Sequence, residues 1–303
     1  MTRHSQQLEV WRVNAFTDTP FTGNPAGVVP LADGLSDALM QNIAREINDI
    51  SETVFISTPK NPAADIRLRY FTAVTEVALC GHATIAALFT LAWIGRLNGD
   101  NETKTVIAET PVGLLKLGVT FANGALQWAT MEQLVPQLAI PTQPHLAAQV
   151  LALPHYAIAS EPTIGCCSTG IWACFVPVIN LEVLASIQIQ REQIKQLWPE
   201  NEELTGVYAF TFLQDTPSSK QLYTQGRFFS PPKYGIVEDP VTGTASGALG
   251  GYLLARGYMQ DILFARQGVE MGRPGLVRVQ QNANGRMSIS GQAVSVIQGN
   301  IRL

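Results

Sequence analysis

A segment in the first half of the chain returns in the second, and a duplication of this length leaves few folds open. Glu76-Val77-Ala78-Leu79-Cys80-Gly81-His82-Ala83-Thr84 lies over Glu238-Asp239-Pro240-Val241-Thr242-Gly243-Thr244-Ala245-Ser246, with Glu, Gly and Ala in the same places. At the same displacement, Gly113-Leu114-Leu115-Lys116-Leu117 lies over Gly275-Leu276-Val277-Arg278-Val279, and the turn Asn123-Gly124 is then answered by Asn284-Gly285. Upstream, Arg69-Tyr70-Phe71-Thr72 resembles Arg227-Phe228-Phe229-Ser230, with four extra residues before the second glycine. Solenoid units run about 20 to 50 residues, so a repeat of this span is a duplicated domain. The chain of 303 residues also exceeds the about 100 to 200 residues of one core.

Each copy has the same local grammar. A β-type run leads into a glycine turn, a helix follows, and alternating segments then meet at Asn-Gly, a strong hairpin signal. In the first copy Leu114, Leu117 and Val119 pair in expectation with Ala125, Leu126 and Trp128. The helices expected over 81–96 and 243–257 have almost no charged face. A helix apolar all round must be buried, so each half is expected to wrap strands around its own central helix. The expected organisation is α+β, with an N-terminal domain over 1–134, a C-terminal domain over 145–303, and the three-proline stretch Val135 to Pro144 as linker. The last strand, about 295–303, can also join the first domain.

Composition narrows the function classes. A hydrophobic share of 46% and a charged share of 15% describe a globular protein with a large core. The net charge of −4 and the absence of a Lys/Arg cluster argue against nucleic acid as a partner. Met1 to Val10 is polar and does not read as a secretory signal, so a cytoplasmic location is expected. The longest apolar stretch, Ala83 to Gly95, is shorter than the about 20 residues a bilayer needs, so no membrane span is expected. Cys80, Cys166, Cys167 and Cys174 show no paired CxxC spacing, which signals neither a zinc site nor a disulfide framework. No metal and no cofactor are expected, and neither GxGxxG nor GxxxxGK[ST] occurs.

The two glycine turns carry the chemical signal. The first turn of a helix presents backbone N–H groups with partial positive charge, a binding site for carboxylates. Gly81 and Gly243 would let a ligand approach the backbone, with Ala83, Thr84, Ala245 and Ser246 leaving room beside them. The same glycines could serve only tight helix packing. Duplication together with polar Cys80, His82, Thr242 and Thr244 favours the anion site.

The residues also carry a family resemblance. Phe16-Thr17-Asp18-Thr19-Pro20-Phe21-Thr22-Gly23-Asn24-Pro25, Ile43-Ala44-Arg45-Glu46 through Ser51-Glu52-Thr53-Val54-Phe55, Cys80-Gly81-His82-Ala83-Thr84, Glu238 to Ala245, and Gln267-Gly268 with Gly272-Arg273-Pro274 resemble the motifs of the PhzF-like phenazine biosynthesis family. The resemblance implies a diaminopimelate-epimerase-like fold, two pseudo-symmetric domains of mainly antiparallel strands around a central helix, with the site between them. It implies a cofactor-independent isomerase that shifts a proton between carbons of a small carboxylate, and a homodimer. Glu52 falls where the family keeps its catalytic carboxylate, and His82 and Asp239, expected to be catalytic with it, fall with Thr244 beside the substrate. Gly81, Ala83, Thr242 and Gly243 complete the expected substrate contacts, and Cys80 is a wall of the site or a buried small residue.

Each residue has a plainer role open to it. Glu52 could be a solvated strand edge, His82 a helix cap, Asp239 a turn former before Pro240, and Thr244 an N-terminal cap. Related epimerases use two opposed cysteines, whereas here Cys80 is matched by Thr242, whose hydroxyl is too weak an acid for that chemistry. The chain also has Thr244-Ala245-Ser246 where the family commonly has Ser then Ala-His, and Ala78 where an acidic residue is frequent. The substrate therefore stays unread, and an amino-acid epimerase or racemase, or a binding protein without turnover, are the alternatives.

Overall fold

A computed structural model describes residues 7–47, 52–141, 144–201, 203–213 and 220–303. The expected leader reading at residues 1–6, Ser51 of the second motif, and residues 142–143 of the expected linker lie outside these. The chain divides into two compact units, Met1–Met131 with Ser290–Leu303, and Glu132–Ile289.

The first unit contains β1 (Gln7–Ala15), β2 (Asn24–Val29), α1 (Asp37–Ile47), β3 (Thr53–Ser57), β4 (Ile66–Phe71), β5 (Glu76–Val77), α2 (Gly81–Trp93), β6 (Thr103–Thr110), β7 (Gly113–Ala122), β8 (Ala125–Glu132) and, from the far end of the chain, β18 (Ala293–Arg302). β1 lies antiparallel to both β18 and β2. From there β2–β3 is parallel, β3–β4 and β4–β5 antiparallel, β4–β6 parallel, and β6–β7 and β7–β8 antiparallel. Asn123 and Gly124 both take positive φ, 53° and 74°, as the two-residue turn that matches strand twist requires. Leu117 and Val119 point into the core of this hairpin, whereas Leu114 is 46% exposed.

The second unit contains β9 (Gln137–Ala139), α3 (Ala147–Val150), β10 (Gly165–Ser168), β11 (Trp172–Pro177), α4 (Leu181–Ser186), β12 (Leu204–Phe212), β13 (Gln221–Phe229), β14 (Glu238–Asp239), α5 (Gly243–Ala255), β15 (Ile262–Gln267), β16 (Gly275–Gln281) and β17 (Met287–Gly291). From β10 onward the pairing senses repeat those of the first unit. β10–β11 is antiparallel, β11–β12 parallel, β12–β13 and β13–β14 antiparallel, β13–β15 parallel and β15–β16 antiparallel. The duplication therefore extends well upstream of the matching letters. The stretch 135–144, expected as a linker, contains β9, which pairs antiparallel with β10; its prolines flank the strand.

The central helices are buried as expected, with every residue from Ala83 to Leu91 and from Ala245 to Leu253 inside. α2 packs on β1, β2, β3 and β18, and α5 on β10, β11 and β16. Both end earlier than expected. Gly95 and Gly257 take φ of 73° and 78°, and the amides that follow bond back to Leu91 and Leu253. A left-handed glycine just past the last turn is the usual way to close a helix.

A second, amphipathic helix covers each sheet. Ser36 Oγ accepts from the Leu39 amide to start α1, which buries Met40, Ile43 and Ala44 against β3 and β4. Asn180 does the same for α4 through the Val183 amide at 2.9 Å. The matching letters Arg, Phe and Glu form one cluster in each unit. Arg69 grips both Glu76 oxygens at 2.7 Å and lies 5.1 Å over the Phe71 ring. Arg227 grips Glu238 at 2.8 Å and lies 4.9 Å over Phe229.

One expectation is overturned. Cys166 and Cys174 form a disulfide, which spacing could not signal because it joins directly opposed residues of β10 and β11. No helix among the described residues is long and apolar enough to cross a membrane.

Candidate functional site

In the first unit, two chain segments, the start of β3 and the start of α2, bring Glu52, Cys80 and His82 together. Glu52 stands immediately before β3, and its carbonyl accepts from the Gly27 amide of β2 at 3.0 Å, so the parallel β2–β3 contact sets its backbone. Cys80 is the extended N-cap of α2, with φ −142° and ψ 115°, and His82 is the second residue of the helix. His82 Nε2 lies 3.3 Å from Glu52 Oε2, with the side chains 12% and 21% exposed. Cys80 Sγ lies 3.4 Å from Nδ1 and 3.6 Å from Nε2 of the same ring.

This proximity sets the protonation states. Burial alone would discourage charge on His82, but the Cys80 sulfur and the Glu52 carboxylate outweigh it and hold the ring well above its ordinary range. Burial, and then the Glu52 charge, push the Cys80 thiol up, against His82 and the Ala83 amide. Both shifts hold protons on the ring and on the thiol, and the ring faces the Glu52 carboxyl directly. A carboxylate so placed can accept a proton from a bound molecule and return it, while the ring donates a charge-assisted hydrogen bond.

In the second unit, Asp239 and Thr242 meet at the corresponding turn. Thr242 Oγ1 donates to Asp239 Oδ2 at 2.5 Å. The turn is clamped by Gln267, fully buried, whose Oε1 accepts from the Thr242 amide at 3.1 Å while Nε2 donates to the Asp239 carbonyl at 2.6 Å and to Thr242 Oγ1 at 3.2 Å. Gly268 follows at φ +81°, and a Cβ there would collide with the carbonyl oxygens of Pro240 and Arg273. Gln267-Gly268 is thus the brace of the Asp239–Thr242 turn, a role no reading of the motif alone assigns.

Thr84 and Ser246, expected to leave room for a ligand, do something else. Both are fully buried and bond back to the carbonyl that opens their helix, Thr84 to Cys80 at 2.8 Å and Ser246 to Thr242 at 3.0 Å. The Thr84 hydroxyl also meets Tyr70 Oη at 2.7 Å. Their match in the repeat was the signal for this shared cap. Ala83 and Ala245 are fully buried as well, so their methyl groups face the core and only their backbone can reach a ligand. Gly81 and Thr244 are partly open, while Gly243 and Thr242 are buried. Neither Cys80 nor Thr242 caps its helix by a side-chain hydrogen bond. Gln133 braces α5 from within the same unit, its Nε2 donating to the Gly243 carbonyl at 3.3 Å while Oε1 accepts from Thr169 at 2.6 Å.

The chain matches known proteins along nearly its whole length. The family model PhzC-PhzF, described as phenazine biosynthesis-like protein, matches residues 13–299. A Bacillus subtilis protein named uncharacterized isomerase YfhB is 36% identical over 95% of this chain and 97% of its own. The trans-2,3-dihydro-3-hydroxyanthranilate isomerase of Pseudomonas chlororaphis is 30% identical over 96% of this chain and 98% of its own. Among solved structures, a Bacillus anthracis phenazine biosynthesis protein of the PhzF family superposes with a TM-score of 0.84 at 31% identity, covering 98% of this chain and 100% of that one.

Proposed function

The chain belongs to the PhzC-PhzF family of phenazine biosynthesis-like proteins, whose relatives are isomerases, and we propose that it moves a proton between two carbons of a small carboxylate with Glu52 as the shuttle. The observation that carries this reading is the 3.3 Å contact between the Glu52 carboxylate and His82 Nε2 at the N-terminal turn of a buried helix. Glu52 takes a proton from one substrate carbon and returns it to another, so no atom is gained or lost. His82, whose neighbours favour its protonated ring, donates to charge that develops on the substrate as the first proton leaves. The first-turn amides of α2 at Gly81, in the same unit as Glu52 and His82, hold the substrate's carboxylate. Asp239 orients groups through Thr242, both fixed by Gln267.

The state of Cys80 favours this over a thiol-based epimerisation. A thiol pushed up by burial and by a neighbouring carboxylate is a poor base near neutral pH, and its counterpart in the repeat is a threonine. The relative from Pseudomonas chlororaphis supplies the first compound to try, trans-2,3-dihydro-3-hydroxyanthranilate. In deuterated buffer, turnover should place deuterium at the carbon that receives the proton, read by NMR. Glu52→Gln should abolish exchange while ligand-induced thermal stabilisation persists. Unchanged turnover in that variant would sink the shuttle assignment.

A further inference from the structure

The Glu52–Cys80–His82 cluster is also a donor set for a thiophilic metal ion. One carboxylate oxygen, one sulfur and one imidazole nitrogen lie within 4.8 Å of one another, all in the first unit and all largely enclosed. With zinc bond lengths of about 2.3 Å to sulfur and about 2.0 Å to nitrogen and oxygen, a tetrahedral ion separates its sulfur and nitrogen ligands by about 3.5 Å and its nitrogen and oxygen ligands by about 3.3 Å. The structure holds Cys80 Sγ and His82 Nε2 at 3.6 Å and His82 Nε2 and Glu52 Oε2 at 3.3 Å. These two spacings match those of one tetrahedral ion, the sulfur–oxygen pair, within 4.8 Å, closes to about 3.5 Å on binding, and three protein ligands leave the fourth position for water. The mixed sulfur, nitrogen and oxygen set selects zinc-like ions over magnesium or calcium, which take oxygen.

We propose that this cluster binds one Zn²⁺, or a similar thiophilic divalent cation, through Cys80, His82 and Glu52, and that the bound ion blocks proton transfer by occupying the Glu52 carboxylate. The ion takes the thiolate and a ring nitrogen lone pair, so any protons these carry go to solvent, and no oxidation state changes. The site is a point of inhibition rather than a catalytic centre, because the ion takes up the atom that moves the substrate proton. Only that inhibitory consequence rests on the shuttle reading; the ion site itself rests on the geometry.

The test is a Co²⁺ titration of the full chain under argon, with the Cys166–Cys174 disulfide intact, followed by displacement with Zn²⁺. The expected result is one equivalent of Co²⁺ producing a thiolate-to-metal charge-transfer band with tetrahedral d–d absorption, both removed by Zn²⁺ and untouched by Mg²⁺. Cys80→Ala should abolish the charge-transfer band, while Cys167→Ala, which changes the other free cysteine, should keep it. His82→Asn and Glu52→Gln should retain a sulfur-linked band but weaken Zn²⁺ binding by at least the about 10- to 100-fold that loss of a ligand's outer support costs. Circular dichroism confirms that each variant is folded. Absence of the band in the wild-type chain, or its persistence in Cys80→Ala, would overturn the assignment. The band reports metal on sulfur whether or not Glu52 shuttles a proton, so a failed isomerase reading with an intact band, and the reverse, are distinct outcomes.

Discussion

Gln267→Leu should destabilise the second unit through the buried turn that this side chain clamps. The substitution nearly preserves volume, so the cost comes from polar groups rather than a cavity. It removes the acceptor of the Thr242 amide, 3.1 Å away, and the two bonds that the Gln267 amide donates to the Asp239 carbonyl and to Thr242 Oγ1. An orphaned buried N–H costs about 1–3 kcal/mol, and each further lost bond about 0.5–1.5 kcal/mol. The expected loss is therefore about 2–6 kcal/mol. For a unit spanning Glu132–Ile289, a loss of about 3 kcal/mol lowers the midpoint of thermal unfolding by about 6–12 °C. The assay is urea unfolding followed by tryptophan fluorescence, where Trp172 and Trp198, packed edge to face at 5.0 Å, report on the second unit. Gln267→Glu should be no better, since it puts a carboxylate against the Asp239 carbonyl. A loss below about 0.5 kcal/mol for Gln267→Leu, the range of an ordinary surface change, would refute the claim that this residue braces the turn.

The mirrored ion pairs should respond unequally. Glu238 and Arg227 are 13% and 11% exposed, so Glu238→Gln leaves a buried guanidinium and should cost about 3 kcal/mol or more. Arg69 keeps Asp37 at 2.6 Å and Glu76 is 35% exposed, so Glu76→Gln should cost about 1 kcal/mol or less; equal losses in urea would contradict the account. The folded protein holds His82 above its unfolded value of 6.5 and Cys80 above 9.0. A raised group stabilises fully below its unfolded value and loses that stability as pH rises through the folded one. Stability should therefore fall from about pH 6.5 upward, and Glu52→Gln should flatten the decline; parallel urea midpoints across pH for the two proteins would argue against the coupling. Gly268→Ala should cost about 1–2 kcal/mol for the left-handed backbone alone, plus the collision with the Pro240 and Arg273 carbonyls, measured as a shift in unfolding midpoint.

Much of the site was legible in the chain because helix starts have a local grammar. Gly81 and Gly243 announced where α2 and α5 begin, and Glu52 and His82 stood out through their motifs, although only folding places their side chains in contact. Gln267 and Gln133 could not be read as braces, since a glutamine says nothing of which distant backbone group it will meet. Thr84 and Ser246 were misread as space for a ligand, because a small polar residue in a first turn looks the same whether it faces a cleft or bonds back to the chain. The Cys166–Cys174 bond was missed because the pairing register of β10 and β11, not their spacing along the chain, opposes the two sulfurs.

The duplication by itself determined that this chain builds one αβ unit twice, since matched turns, helix stops and hairpins are set by short-range backbone preferences that any reader of the letters can see. The tertiary structure alone decided the protonation and partnership of the chemical groups. Those depend on distances between residues far apart in the chain and on the water that burial removes. Glu52 and His82 became an ion pair only when the β2–β3 contact and the seating of α2 brought a carboxylate and a ring to 3.3 Å.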